Sequence, residues 1–171
     1  RDKERDQNRA KNISVDLKPD GYKLIKFKEE VLYFLSEGTL LHTITAFWEF
    51  VLFIEIAYKI LEKDKQRHVN DHKLYEPYRR LQELYLNNGY GSEGDFSERM
   101  SSLISQIRQF FVEHYKDEED LKLNAAQITQ LVQTHSILEI KEQVIKYLEH
   151  KESLWLLFDN IDNGWPTDGL K

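Results

Sequence analysis

The stretch LWLLFDNID, residues 154–162, joins a short apolar run to two carboxylates. Residues 154–158 contain no polar side chain, and a continuous apolar run of this length is typical of a strand buried on both faces. Asp159 follows the run directly, and Asp162 comes three positions later. The pattern predicts a strand that carries a carboxylate into a loop. A plain core strand that ends in a turn is the alternative, because Asp-Asn-Gly is favourable turn chemistry.

A second short strand is predicted near residues 13–17. Ile13, Val15 and Leu17 alternate with polar residues, and a proline and a glycine then end the run. Between the two strands the apolar residues recur at helical spacing. The sequence therefore predicts a mainly α fold, in which a multi-helix bundle is flanked by two short strands.

Capping signals and apolar periodicity set the expected helix boundaries. Pro77, for example, suits the first turn of a helix, and Ser136 with Glu139 suits a capping pair at another helix start. The last of these helices carries its apolar residues at Ile140, Val144, Ile145 and Leu148. The predicted helices cover residues 22–35 and 44–63, a segment from Pro77 to about 85, a segment from 95 to about 111, a short segment at about 125–134, and residues 136–148.

The most apolar segment, residues 43–61, is nearly long enough to span a membrane. Glu49, Glu55 and Lys59 lie inside it, and charged side chains at the centre of a bilayer are costly. We therefore expect a central helix buried among other helices, and no membrane contact.

Composition narrows the class of protein. The chain has 171 residues, a net charge of -6 and no cysteine. This length is sufficient for one domain with a real core, and the acidic balance argues against a nucleic-acid partner on charge grounds. The lack of cysteine removes disulfides and thiolate chemistry, so a cytoplasmic protein is expected.

The chain starts at Arg1 without an initiator methionine, so we expect a piece of a larger protein. Its predicted organisation has four parts. These are a linker or helix tail at 1–11, a short strand and turn at 12–21, a helical subdomain at 22–150, and a strand and loop at 151–171.

The segment LLFDNIDNGWP, residues 156–166, resembles the Walker B region of bacterial P-loop ATPases related to the STAND and KAP-type NTPases. Residues 14–39 and 46–64 are similar to the stretch that lies between the two nucleotide motifs of that group. The resemblance implies that both strands belong to a P-loop α/β sheet, with the helical subdomain inserted between them.

The resemblance also implies a site for ATP and Mg²⁺. Asp159 would be the cofactor-binding and metal-supporting residue, holding Mg²⁺ through a water molecule. Asp162 and Asn160 would be the catalytic residues near the γ-phosphate or the attacking water. The helices would bind a protein partner or a second copy of the protein, and that binding would be coupled to the nucleotide state.

Two departures from the family pattern matter. The chain contains no Gly-x-x-x-x-Gly-Lys-Ser/Thr phosphate loop, so that loop is expected before Arg1 in the parent protein. Many relatives have an acidic residue where this chain has Asn160, and an amide cannot accept a proton as a carboxylate does. Slow hydrolysis, suited to a switch, is therefore expected, and the piece alone is expected to be inactive.

Two other function classes stay open. Arg67 and His72, with four residues between them, resemble the R-x4-H pattern of HEPN ribonucleases, and Arg108 with His114 gives a looser version. In that hypothesis the histidine does acid–base work and the arginine steadies phosphate charge. The third hypothesis is a helical protein-interaction domain without catalysis.

Metal-ligand patterns are weaker. His68 and His72 have the spacing that places two imidazoles on one helix face, but no third ligand follows at a telling distance. Glu49 and Glu55 lack the Glu-x-x-His companions of carboxylate-bridged metal sites, so we expect them to pair with other polar groups.

Overall fold

The computed structural model describes residues 11–18, 40–88 and 137–159, together with positions 105, 109 and 113. Within these residues, three α-helices and a short 3-10 helix lie between two strands along the chain. The predicted mainly α fold with two short strands is therefore confirmed. The elements are β1 (Asn12–Leu17), α1 (Leu40–Lys63), the 3-10 helix (His68–Asn70), α2 (His72–Asn87), α3 (Ile137–Leu148) and β2 (Ser153–Phe158).

Strands β1 and β2 are neighbours in one parallel sheet. The backbone N–H of Glu152 donates to the carbonyl of Lys11 at 2.8 Å, and that of Asp159 donates to the carbonyl of Leu17 at 3.0 Å. Parallel neighbours require a crossover connection, and here the helices lie in that connection. Because the strands are parallel, the carboxyl ends of both lie at the same edge of the sheet.

The described residues divide between two compact units. The first unit contains residues 11–16, 50–88 and 137–157. The second contains residues 17–18, 40–49 and 158–159, with the three single positions. The buried core described next belongs to the first unit, and the carboxyl ends of both strands belong to the second.

The alternating pattern of β1 is confirmed, whereas β2 differs from the prediction. Ile13 and Val15 are buried, and the intervening Ser14 is exposed. In β2, however, Trp155 is 61% exposed and Leu157 is 50% exposed, so the expected burial on both faces is wrong. Successive side chains of a strand point to opposite faces. The face of Trp155 and Leu157 is exposed, and Leu154 and Leu156 on the other face are only half-buried.

Helix α1 starts four residues earlier than predicted and ends where predicted. Seven of its residues from Phe50 to Ile60 are buried, Glu55 among them, and the other four are half-buried, as expected for a central helix. Among the residues the structure describes, no helix is both long and apolar enough to cross a membrane.

Helix α2 begins at His72, so the prediction that Pro77 marks its first turn is wrong. The side chain of Asp71 accepts a hydrogen bond from the Lys73 N–H at 3.1 Å and caps the helix six residues upstream of Pro77. Pro77 lies inside the helix, where it cannot donate the backbone hydrogen bond of its turn. The cap and the buried face of α2 outweigh that loss.

Helix α3 has its start close to the predicted Ser136–Glu139 cap, with Glu139 in its first turn. Ile140, Val144 and Tyr147 are buried, and the helix packs against α2. Ile145 is exposed, in contrast to its predicted place in the apolar stripe, and Tyr147 takes the buried position instead. The helical period places 140, 144 and 147 on one face and leaves 145 off it.

Several predicted segments lie outside the described residues. These are the linker at 1–11 apart from Lys11, the helix at 22–35, the helix at about 125–134, and the loop that follows Asp159. Of the helix predicted from 95 to 111, positions 105 and 109 are described, and both are helical. The Gln109 amide donates to the Glu113 carboxylate at 2.8 Å, one turn further along.

Candidate functional site

The candidate site lies where the two parallel strands end. Lys18 is the first residue after β1, and Asp159 is the first residue after β2. The Asp159 N–H donates to the Leu17 carbonyl, and this bond fixes the Asp159 backbone beside the end of β1. In open α/β sheets, ligands bind outside the carboxyl ends of the strands. Asp159 therefore lies at the carboxyl end of β2, directly after the strand that the apolar run predicts.

An ion pair joins the two residues at this edge. The Lys18 Nζ lies 3.4 Å from the Asp159 Oδ2, and the side chains are 66% and 57% exposed. An ion pair this exposed contributes little to stability, because water screens it. The carboxylate is thus accessible to solvent while it has a cation beside it.

The other two predicted site residues, Asn160 and Asp162, lie outside the described residues. Within the described ranges, no group of three or more His, Cys, Asp or Glu side chains is close enough to hold a metal ion. The edge therefore offers one described carboxylate. A single carboxylate is compatible with Mg²⁺, which usually keeps several waters and takes further oxygen ligands from phosphates.

A second polar cluster lies deep in the first unit, around Asp64. Both the Tyr147 hydroxyl and the Lys151 ammonium donate to the Asp64 Oδ2. The side chains of Asp64 and Lys151 are each only 2% exposed, and Tyr147 is fully buried. Lys151 also lies 5.4 Å from the centre of the Tyr147 ring, within range of a cation–π contact.

Electrostatics in this buried cluster favour a neutral Tyr147. Burial raises the pKa of the Tyr147 hydroxyl well above its ordinary value, and the hydrogen bond to Asp64 raises it further. The pKa of Tyr78 is raised in the same direction, first by burial and then by the Asp64 charge. Burial and the nearby Lys151 lower the pKa of Lys63. Because the carboxylate of Asp64 is sealed from water, the cluster supports the fold and offers no ligand access.

The cluster holds the beginnings of both strands. Lys63, the last residue of α1, donates to the carbonyl of Asn12, the first residue of β1. The next residue, Asp64, binds Lys151, which lies two residues before β2. Two consecutive side chains at the end of one helix therefore tie down the amino ends of two strands that are far apart in sequence.

The residues of the nuclease hypothesis lie on separate elements. Arg67 is half-buried in the turn before the 3-10 helix, and His72 is the exposed first residue of α2. Arg108 and His114 lie outside the described residues.

The histidine pair at 68 and 72 does not share a helix face, because His68 belongs to the 3-10 helix and His72 to α2. His68 is buried, with its ring stacked on Tyr78 at a centroid distance of 3.8 Å. Its Nδ1 lies 3.1 Å from the Asp64 backbone carbonyl. Both contacts give His68 a structural place in the core.

The sequence patterns singled out neither Lys18 nor the buried group of Asp64, Tyr147 and Lys151. Lys18 had a usable signal, since it directly follows a predicted strand and so shares the edge with Asp159. Asp64 had none, because it lies in the charged segment EKDKQR, residues 62–67, which is indistinguishable from a solvated helix end. The partners of Asp64 come from the far end of the chain, and spacing in sequence does not reveal such a contact.

No protein-family model, no curated protein and no solved structure matches the chain.

Proposed function

We propose that this chain is part of a P-loop ATPase, a nucleotide-dependent switch or regulatory hydrolase, in which Asp159 supports Mg²⁺ bound with ATP. The observation that carries the proposal is the position of Asp159. It is an exposed carboxylate directly after β2, at the carboxyl end of two neighbouring parallel strands. This is the edge of an α/β sheet at which nucleotides bind.

The residues at this edge fit the proposed cofactor. Mg²⁺ prefers hard oxygen ligands in octahedral geometry and is often held by one or two carboxylates plus phosphate oxygens. Asp159 supplies such an oxygen without a burial cost, because its side chain is 57% exposed. The phosphate cradle would come from another part of the parent protein, since this sequence has no phosphate-loop motif.

The chain's own groups would act by charge and position. When bound, Mg²⁺ and ATP supply a phosphoryl group whose charge the metal partly neutralises. The Asp159 carboxylate would accept hydrogen bonds from metal-bound water, and its backbone bond to Leu17 would keep it in place. Asn160 would orient the attacking water, and Asp162 would accept its proton.

Equilibrium binding of ATP to the full-length parent protein tests this proposal. Asp159→Asn keeps the size of the side chain and removes its charge. We expect roughly 10- to 100-fold weaker binding of Mg²⁺–ATP, which is the usual loss when a residue that hydrogen-bonds to a metal ligand is replaced. Binding of ATP without Mg²⁺ should be unchanged. Asp16→Asn is the matched control, because Asp16 is an exposed aspartate of β1. Equal Mg²⁺–ATP affinity in all three proteins would contradict the proposal.

A second candidate function, protein interaction through the helical region, is favoured by the outer surface of α3. Leu138 and Ile145 are exposed there and lie two helical turns apart, on one side of the helix. Sedimentation of the wild type against Ile145→Lys tests self-association. A lower apparent mass in the variant supports a contact between copies, and identical masses contradict it.

We place the protein in the cytoplasm on the basis of its lack of cysteine.

A further inference from the structure

The cation beside Asp159 is the starting point. Lys18 and Asp159 each follow the last residue of their strand, and the strands are parallel neighbours. Their side chains meet at 3.4 Å outside the sheet edge. A lysine at this position faces the same space that the proposed nucleotide site would use.

The geometry of the pair makes it easy to exchange. A distance of 3.4 Å is longer than the usual 2.7–2.9 Å of a charge-assisted hydrogen bond. Both side chains are more than half exposed, so water screens the pair and it adds little to the stability of the fold. Separating Lys18 from Asp159 therefore requires little free energy, whereas separating a buried ion pair requires much more.

A divalent cation at Asp159 would repel the Lys18 ammonium, and a phosphate beside that cation would attract it. Lysine suits this exchange, because its ammonium is a point charge with three donors on a flexible stem. We propose that Lys18 is a phosphate-binding residue that exchanges Asp159 for the terminal phosphate of a nucleoside triphosphate when the metal binds. This inference rests on the proposed function and adds a binding residue to that site.

The exchange predicts opposite effects on two ligands. Without nucleotide, Lys18 competes with the metal for Asp159, so Lys18→Met should tighten the binding of Mn²⁺ alone by several-fold. With nucleotide, Lys18 contacts phosphate, so the same variant should raise the KM for Mg²⁺–ATP about tenfold or more. If Lys18 had only a structural role, Lys18→Met would weaken the binding of Mn²⁺ and of Mg²⁺–ATP together. Lys18→Arg, which keeps the charge, should restore most of the affinity for Mg²⁺–ATP.

The experiment uses the full-length parent protein, with Mn²⁺ titrations by electron paramagnetic resonance and steady-state ATP hydrolysis. Lys146→Met is the matched control, because Lys146 also forms an exposed ion pair, with Glu142, and belongs to neither strand. Competition by Mg²⁺–ADP and by inorganic phosphate separates a terminal-phosphate contact from general anion binding. We expect the KM effect with ATP and a much smaller effect of Lys18→Met on the inhibition constant of ADP.

Three results would overturn the inference. If Lys18→Met behaves like Lys146→Met while Asp159→Asn still impairs Mg²⁺–ATP binding, Lys18 has no phosphate role and the proposed function stands. If Lys18→Met weakens Mn²⁺ and Mg²⁺–ATP binding alike, Lys18 acts only through the local structure. If Asp159→Asn has no effect either, the proposed function fails together with the inference.

Discussion

The carboxylate of Asp64 and the ammonium of Lys151, 87 positions apart in the sequence, form an ion pair in which each side chain is only 2% exposed. The pair joins the end of α1 to the residue that leads into β2. Burial of two charges is costly, and it is tolerated here because the same carboxylate oxygen also accepts the Tyr147 hydroxyl. The strand that carries Asp159 thus starts from a fixed point in the core.

Removal of one partner should be strongly destabilising. Asp64→Ala removes a carboxylate that binds two buried groups, the Lys151 ammonium and the Tyr147 hydroxyl, so we expect the free energy of unfolding to fall by about 3–5 kcal/mol. Urea unfolding followed by circular dichroism measures this loss. The double variant Asp64→Leu with Lys151→Met should recover much of it, because apolar replacements of a whole buried pair are often neutral.

Glu142→Ala, which breaks the exposed pair with Lys146, serves as the control and should leave the urea midpoint unchanged. Equal urea midpoints for Asp64→Ala and Glu142→Ala would contradict the assignment of Asp64 to a buried ion pair.

The Tyr147 hydroxyl should make stability fall at high pH. An unfolded tyrosine loses its proton near pH 10, whereas burial and Asp64 raise the pKa of Tyr147 in the folded protein. Above pH 10 the folded state therefore binds more protons than the unfolded state, and alkali favours unfolding. The stabilisation by Tyr147 is complete below pH 10 and is lost at about 1.4 kcal/mol per pH unit above it.

Unfolding free energies of the wild type and Tyr147→Phe between pH 8 and pH 11 measure the effect of Tyr147. The difference between the two proteins should be constant up to pH 10 and should shrink above it. A constant difference across the whole range would show that Tyr147 ionises as easily in the folded protein as in the unfolded one.

The cap at Asp71 should matter for helix α2. Asp71→Ala removes the acceptor for the Lys73 N–H, and the expected loss of stability is about 1 kcal/mol. Asp71→Asn should retain most of the stability, because an asparagine side chain also caps helices well. Thermal unfolding of the wild type, Asp71→Ala and Asp71→Asn measures the order of their stabilities. If Ala and Asn at this position were equally destabilising, the side-chain cap would not explain why the helix starts before Pro77.

Regular patterns made part of this fold predictable. The alternation of Ile13, Val15 and Leu17 and the helical period of residues 44–63 both reflect burial on one side of an element, which sequence records directly. The apolar run at 154–158 predicted a strand correctly but its burial incorrectly. A strand's own residues show that it is apolar, and they do not show how many neighbouring elements cover it.

Contacts between distant residues were not predictable in the same way. Lys151 and Asp64 meet because the chain returns to the end of α1, and nothing in either local segment signals the other. The start of α2 was misplaced because a proline is a stronger local signal than an aspartate cap. The position of Asp159 directly after a strand was predictable, because it depends only on the strand before it. The pair with Lys18 also requires β1 and β2 to be neighbours, which the two separate strand patterns do not show.

The most direct test of the central claim is steady-state ATP hydrolysis by the full-length parent protein with Mg²⁺, comparing the wild type with Asp159→Ala and Asp162→Ala. The account predicts Mg²⁺-dependent turnover in the wild type and a loss of roughly 10- to 100-fold or more in Asp159→Ala with the fold intact by circular dichroism. The Asp162→Ala protein then shows whether that carboxylate accepts the proton. Unchanged turnover in Asp159→Ala, or no turnover in the wild type, would mean that Asp159 has no role in ATP hydrolysis and that residues 154–158 are a plain half-buried strand.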